Sequence, residues 1–135
     1  MQRPVLVDTS AWIEFVRGTR SRVAQALERL LVDDAPIVVT GLVVAELLRG
    51  CRDDDEAAQL CDVLAGFPWV EPSYPRTYQH AAELHRRARS RGAAGASTVD
   101  CVLAALAIDN RLAVLHRDRD FDQLARVSEL VVARP

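Results

Sequence analysis

Short, mostly apolar runs rich in β-branched residues alternate with helical patterns along this chain. These runs cover residues 4–7, 36–40, 112–115 and 130–133, with a further short one at residues 69–71. Strands that are apolar on both faces and separated by helices indicate a parallel sheet covered on both sides. We therefore predict an α/β fold, namely a three-layer α/β/α sandwich with a short, mainly parallel sheet.

Helical spacing of apolar residues fills the intervals between these strands. The first predicted helix ends at Gly18, Gly50 caps the third, and the helices after the first cover about residues 23–33, 42–49, 53–65, 75–91, 98–109 and 121–126. Residues 92–95 are expected to form a flexible loop. At 135 residues the chain has the length of one domain, and we expect residues 1–135 to form a single unit.

The basic residues narrow the range of functions. All 17 of them are arginines. The absence of lysine excludes P-loop nucleotide hydrolases, Schiff-base enzymes and response-regulator receivers, each of which depends on a lysine. The formal net charge is −2, whereas general nucleic-acid binders are usually strongly basic. Any contact with nucleic acid is therefore expected to be local.

The cysteines and the apolar runs indicate where in the cell the protein is located. Cys51, Cys61 and Cys101 show no Cys-x-x-Cys spacing, and each falls in a predicted helix, which indicates reduced thiols. The longest apolar run, at residues 101–108, is far below the roughly 18 residues that span a bilayer. The residues after Met1 lack the apolar stretch of a signal peptide. We expect a cytoplasmic protein with no membrane partner.

Four acidic residues follow predicted strands or lie on the helices next to them. Asp8 ends the first strand, and Asp118 comes three positions after the strand at residues 112–115. Glu46 lies on an otherwise uncharged stretch of the third helix, and Asp100 lies on the first turn of a nearly apolar helix. Because binding sites of such sheets lie at the carboxyl ends of the strands, we expect these side chains to converge.

Each of these acids also has a purely structural explanation. Asp8 and Asp118 can cap the helices that follow them. Ser97 and Asp100 have the spacing of a capping box, and surface exposure alone accounts for Glu46. Converging carboxylates, however, repel one another and require a cation. Oxygen ligands without His or Cys favour Mg²⁺ or Mn²⁺ over zinc.

Four stretches of the sequence carry a family resemblance. They are residues 7–13 (VDTSAWI), 46–50 (ELLRG), 100–105 (DCVLAA) and 115–121 (LHRDRDF). Together they resemble the successive motifs of the PIN-domain ribonucleases, and among these most closely the VapC toxins of bacterial toxin–antitoxin pairs. The resemblance covers essentially the whole chain. It implies a PIN-like fold and an endoribonuclease that depends on Mg²⁺ or Mn²⁺.

The resemblance also implies roles for individual residues. The implied catalytic acids are Asp8, Glu46, Asp100 and Asp118, and the implied metal ligands among them are Asp8, Asp100 and Asp118. Asp120 lies in the same motif as Asp118 and is kept as an outer or substitute ligand. Ser10 and Thr98 could hold a carboxylate or a metal-bound water, or merely cap their helices.

The same resemblance, together with the charge of the predicted site, indicates the binding partners. The family implies a VapB-type antitoxin and a homodimer. Since an acidic site repels RNA, arginines must hold the substrate, and the candidates are Arg86, Arg87, Arg89, Arg91, Arg117 and Arg119. A solvated helix face explains the first four of these equally well.

Several questions stay open in the sequence. The cleaved RNA could be a transfer RNA, a ribosomal RNA loop or a messenger RNA, and either one or two metal ions would suit the chemistry. The alternative function is a catalytically inactive PIN-like module that binds RNA or a protein. Few aromatic residues are free for base stacking, because the spacing of Trp12 predicts a place in the core.

Overall fold

A short parallel sheet lies at the centre of the protein, which we describe from a computed structural model over residues 3–135. Its strands are β1 (Val5–Val7), β2 (Ile37–Val38), β3 (Ala113–Leu115) and β4 (Val131–Val132), in the order β2-β1-β3-β4. Every neighbouring pair runs parallel. The first two residues, which open the segment expected to lack a signal peptide, lie outside the described residues.

Helices connect these strands at nearly the predicted positions. Within residues 3–135 they are α1 (Thr9–Val16), α2 (Arg22–Val32), α3 (Gly41–Arg49), α4 (Asp54–Leu64), α5 (Arg76–Ser90), α6 (Thr98–Asp109) and α7 (Arg119–Arg126). One group forms where α1 packs against α2 and α3, and α3 packs against α4. A second group forms where α5, α6 and α7 pack on one another. The predicted α/β class is confirmed.

Two details of the prediction are wrong. Residues 69–71 do not form a strand, because only Trp69 makes a bridge, to Val39, and the flanking prolines at 68 and 72 lack the N–H that a ladder needs. Cys51 does not lie in a helix, because α3 ends at Arg49 and Gly50 follows as its C-cap. Gly50 has a φ of −85°, so this helix end uses right-handed backbone.

The core explains why α6 is so apolar. Its residues from Cys101 to Ala107 are all buried, and Trp12 is 3% exposed, as its spacing predicted. Burial on every side fixes α6 next to β3, so its first turn has a defined place at the carboxyl edge of the sheet. Among the helices of residues 3–135, none combines the length and hydrophobicity needed to cross a bilayer.

Candidate active site

The parallel register of the sheet brings two acidic segments to the same edge. Val7 pairs with Leu115, so the residues that follow each of these strand ends are neighbours. The backbone N–H of Asp8 donates to the carbonyl oxygen of Leu115 at 2.9 Å. Asp8 therefore lies beside the start of the segment that carries Asp118.

Three carboxylates meet at this edge. Asp100, Asp118 and Asp120 each offer an oxygen, and these oxygens lie within 4.8 Å of one another. We call these three residues the acid cluster. Asp118 and its predicted alternative Asp120 are thus both present beside Asp100. All three side chains are half-buried, so water screens their charges only in part.

Local hydrogen bonds fix the acids without using all their oxygens. Asp100 Oδ2 accepts from Ser97 N–H at 3.2 Å, as one half of the predicted capping box. Asp118 caps α7, and its Oδ1 accepts from Asp120 N–H at 2.9 Å. Within residues 3–135, no hydrogen bond reaches Asp100 Oδ1 or Asp118 Oδ2. Capping and metal binding are therefore compatible roles for the same side chains.

The other two predicted acids lie outside the acid cluster. Asp8 is 6% exposed, and its Oδ2 accepts from the N–H of Ser10 at 3.0 Å and from its hydroxyl at 2.6 Å. Glu46 on α3 accepts from the hydroxyl of Thr9 on α1 at 2.8 Å. We call Asp8 and Glu46 the hydroxyl-bound acids. Each has a donor close by that offsets part of its charge.

Within the acid cluster, burial and like charge make the ionised carboxylates less favourable. Burial, followed by the negative charges of Asp118 and Asp8, raises the pKa of Asp100, and the hydrogen bonds of Ser97 oppose this rise. The pKa of Asp120 is also raised, by desolvation and by Asp118, against the opposing effect of Arg119. A cation placed among these carboxylates would relieve both costs.

Ser10 and Thr98 differ in what they do. Ser10 does not cap α1, because Asp8 holds that position, but its hydroxyl donates to Asp8 and accepts from the N–H of Arg117 at 2.9 Å. Ser10 therefore ties the end of β1 to the loop after β3. Thr98 is the first residue of α6 and is exposed, while Ser97 is the cap.

His116 positions the acid cluster and was missed in the sequence. Its Nδ1 lies 2.9 Å from the backbone N–H of Asp118 and accepts from it, which assigns the ring proton to Nε2. Nε2 lies 3.3 Å from Asp122 Oδ1, and the ring packs against Phe121 with centroids 5.1 Å apart. The only sequence signal was its place inside the motif at residues 115–121.

Gly95 was also missed, because a glycine in a loop suggested flexibility only. A Cβ atom at this position would lie 2.9 Å from Asp120 Oδ1. The loop before α6 therefore touches the acid cluster, and a glycine leaves room for the Asp120 carboxylate.

All six arginines that were predicted to bind RNA are exposed: Arg86, Arg87, Arg89, Arg91, Arg117 and Arg119. Two of these form ion pairs, Arg87 with Glu83 and Arg117 with the buried Glu14. The charge of these two is partly neutralised, so the others are better placed to attract a phosphate. Their role in binding RNA stays a prediction.

The PIN domain family profile matches residues 5–127, which include the acid cluster and the hydroxyl-bound acids. The chain belongs to the PIN domain family. It is 37% identical over 130 residues to the VapC ribonuclease Mb1587 of Mycobacterium bovis, with 96% of this chain and 97% of that protein covered. Ribonuclease VapC11 of Mycobacterium tuberculosis gives the same identity and coverage. The resemblance to VapC-type PIN domains is confirmed.

Solved structures agree with this family in fold. VapBC2 of Rickettsia felis, bound to a DNA fragment of its promoter, gives a TM-score of 0.73 at 16% identity and covers 96% of each chain. VapC20 of Mycobacterium tuberculosis, described as a sarcin–ricin loop cleaving toxin, gives 0.70 at 19% identity, with 97% of this chain and 99% of that chain covered. The predicted PIN-like fold is confirmed.

Proposed function

We propose that this PIN-domain protein is an endoribonuclease toxin that hydrolyses RNA phosphodiester bonds with Mg²⁺ or Mn²⁺ and is neutralised by a VapB-type antitoxin. The observation that carries the proposal is the acid cluster, with oxygens within 4.8 Å of one another, in a chain 37% identical to VapC ribonucleases. The proposal includes a homodimer, a cytoplasmic location and a single domain over residues 1–135.

The donor set fits a hard divalent cation. It consists of carboxylate oxygens, which are the ligands that Mg²⁺ and Mn²⁺ prefer. Asp100 and Asp118 each keep one oxygen free of hydrogen bonds from residues 3–135, and Asp120 faces the same space. In our assignment Asp100 and Asp118 bind the cation together with Asp8 or Asp120, and Glu46 completes the catalytic set.

The chain's own residues hold and orient the reactants. When bound, a divalent cation makes water more acidic and offsets charge on the scissile phosphate. Ser10 orients Asp8 through Oδ2, and Oδ1 accepts no hydrogen bond within residues 3–135. When Asp120 is the third ligand, Asp8 Oδ1 accepts the proton of the attacking water. Water attacks phosphorus in line, the bond to the 3′ oxygen breaks, and solvent protonates that oxygen. The products then carry a 5′-phosphate and a 3′-hydroxyl.

An apolar groove beside Glu46 suits the antitoxin. It has a volume of about 210 Å³, and the residues that line it include Ile13, Val16, Leu47 and Leu60, on helices α1, α3 and α4. Val16 is 62% exposed and extends this apolar lining to the surface, where a partner can cover it. An amphipathic antitoxin segment would cover this face and place an arginine near the acids.

The decisive experiment is a cleavage assay with purified protein and total RNA, in EDTA, Mg²⁺ or Mn²⁺. We expect cleavage only with a divalent metal, and we expect Asp100→Asn to abolish it while circular dichroism shows an intact fold. Asp62→Asn, an exposed acid on α4, is the matched control and should retain full activity. Cleavage in EDTA at the same rate would contradict the metal mechanism. RNA binding without any cleavage would favour the inactive PIN-like module.

A separate experiment tests the toxin assignment. Expression of the chain alone should arrest bacterial growth, and co-expression of the small protein encoded beside it should restore growth. The Asp100→Asn variant should be harmless. Normal growth with a soluble, active nuclease would contradict the toxin assignment.

A further inference from the structure

A second groove lies between α5 and α6 and shares no lining residue with the apolar groove beside Glu46. Its volume is about 330 Å³, and the lining includes Tyr78, His85 and Arg86 from α5 and Thr98, Cys101 and Val102 from α6. Cys101 and Val102 are 1% and 5% exposed and form an apolar floor. We call this depression the Tyr78 groove.

The chemistry of the Tyr78 groove suits a flat, uncharged ring. Tyr78 is 49% exposed, so part of its ring is open to a ligand. Unpaired nucleobases stack on aromatic side chains and on arginine guanidinium planes, and both groups line this groove. His85 adds a ring that can form hydrogen bonds with the edge of a base.

Charge distinguishes this groove from its neighbour on α5. The neighbouring groove shares Arg86 but also contains Glu83 and Asp109, whose carboxylates would repel RNA. Among residues 3–135, no carboxylate lines the Tyr78 groove. A nucleotide entering it therefore meets a positive rim and an apolar floor, which complement its phosphate and its base.

The Tyr78 groove is connected to the acid cluster in two ways. Cys101 on the floor of the groove directly follows Asp100 on α6, and Thr98 in the lining is two positions before Asp100. The arginine run from Arg86 onward continues along α5 into the loop that ends at Gly95, which touches Asp120.

We propose that the Tyr78 groove accepts one unpaired base of the RNA substrate, from a nucleotide that flanks the scissile phosphate, with Tyr78 as the stacking platform. This inference rests on the proposed nuclease function. Neither the acid cluster nor the hydroxyl-bound acids are among the residues that line the groove, so we assign the base to a nucleotide beside the cleaved bond. The groove thus contributes to the choice of cleavage site by requiring a single-stranded nucleotide at a fixed distance from that bond.

The experiment measures binding of a fluorescent single-stranded octaribonucleotide by anisotropy in Mn²⁺. The Asp118→Asn background prevents cleavage and leaves the groove residues intact. We expect Tyr78→Ala to weaken binding by roughly 5- to 150-fold, the effect of losing one base–aromatic stack. Tyr78→Phe should bind within about twofold of the parent, because the ring remains. Gln79→Ala, an exposed change on the same helix outside the groove, is the matched control.

Removal of one base at a time from the oligonucleotide sharpens the test. One abasic position should weaken binding to the parent protein and cause no further loss with Tyr78→Ala, because both changes remove the same contact. Independent losses at every position would overturn the inference. An effect of Tyr78→Ala no larger than that of Gln79→Ala would also overturn it.

Two further outcomes separate this inference from the proposed function. If the unmodified protein cleaves RNA but Tyr78→Ala leaves RNA affinity unchanged, the nuclease function stands and the groove assignment falls. If the unmodified protein binds RNA in a Tyr78-dependent way without cleaving it, the groove assignment stands and the nuclease function falls. A change from dimer to monomer in Tyr78→Ala would assign the groove to a second copy of the chain and overturn the inference.

Discussion

The acid cluster and the hydroxyl-bound acids occupy the same edge of the sheet, but the fold treats them differently. The hydroxyl-bound acids each receive a short hydrogen bond from a neighbouring side chain, at 2.6 Å for Asp8 and 2.8 Å for Glu46. The acid cluster brings three carboxylates within 4.8 Å of one another, and burial and like charge raise the pKa of two of them. Hydrogen bonds within the fold stabilise the hydroxyl-bound acids, whereas the acid cluster requires a positive charge to offset its repulsion.

This difference separates two tasks. Hydroxyl donors stabilise a carboxylate in the folded protein whether or not a metal is present. Carboxylates that repel one another lower the stability of the metal-free protein and raise its affinity for a cation. The comparison therefore predicts that the acid cluster contributes most to metal binding, whereas the hydroxyl-bound acids mainly position the reactants.

The largest expected effect is on catalysis. Asp118→Asn should lower the rate of RNA cleavage by more than about 100-fold, because it removes a direct metal ligand. Glu46→Gln should lower it less, by roughly 10- to 100-fold, as for a residue that orients the site through neighbours. Single-turnover cleavage of a defined RNA measures both variants. A larger loss in Glu46→Gln than in Asp118→Asn would contradict the division of tasks.

The second prediction concerns stability with and without metal. At a hundredfold excess over its Kd, Mn²⁺ should stabilise the protein by about 2.7 kcal/mol, since the acids are scattered in the unfolded chain. Thermal melting in Mn²⁺ and in EDTA, at equal ionic strength, measures this gain. Asp100→Asn should reduce the gain, and equal melting temperatures in all four samples would contradict a metal site in the acid cluster.

In EDTA the unmodified protein should melt at a lower temperature than Asp100→Asn. The raised pKa of Asp100 means that the folded state binds its proton more tightly than the unfolded state does. The metal-free wild type therefore loses stability as the pH rises from below the ordinary pKa of 3.8 through the raised value, and Asp100→Asn lacks this loss. At pH 7 in EDTA the variant should melt at the higher temperature.

A smaller effect is expected at the hydroxyl-bound acids. Ser10→Ala removes the donor to Asp8 and leaves the N–H of Arg117 without its acceptor. We expect a loss of roughly 1–3 kcal/mol in the free energy of unfolding, equal in EDTA and in Mn²⁺. Urea denaturation in both buffers measures it. A loss confined to the Mn²⁺ sample would instead assign Ser10 to the metal site.

The smallest effect should follow from crowding Asp120. Gly95→Ala places a Cβ atom 2.9 Å from Asp120 Oδ1, and the carboxylate can move aside at little cost. We expect a few-fold weaker activation by Mn²⁺, with the melting temperature in EDTA nearly unchanged. Gly50→Ala is the matched control, because its nearest atom would be 3.6 Å away. Equal activation of both variants would mean that Asp120 does not contribute to the metal site.

Much of the fold and part of the site could be predicted from the sequence, because the contacts involved are local. The alternation of strands and helices depends on the spacing of apolar residues, and α6 was predicted with its actual bounds, Thr98–Asp109. The caps at Asp8 and Asp118, and the capping box of Ser97 with Asp100, involve hydrogen bonds between residues two or three positions apart. Such bonds follow from residue type and position.

Only the tertiary structure decided which side chains meet across elements. Thr9 and Glu46 are 37 positions apart, and Ser10 and Arg117 are 107 positions apart, so their hydrogen bonds exist only once the helices and strands have packed. The same holds for Gly95 against Asp120, and for the strand predicted at residues 69–71 that became a single bridge. The sequence by itself determined the elements, the acids and the family. Packing alone decided that Asp120 joins Asp100 and Asp118, because hydrophobic periodicity sets which face is buried and not which side chains touch.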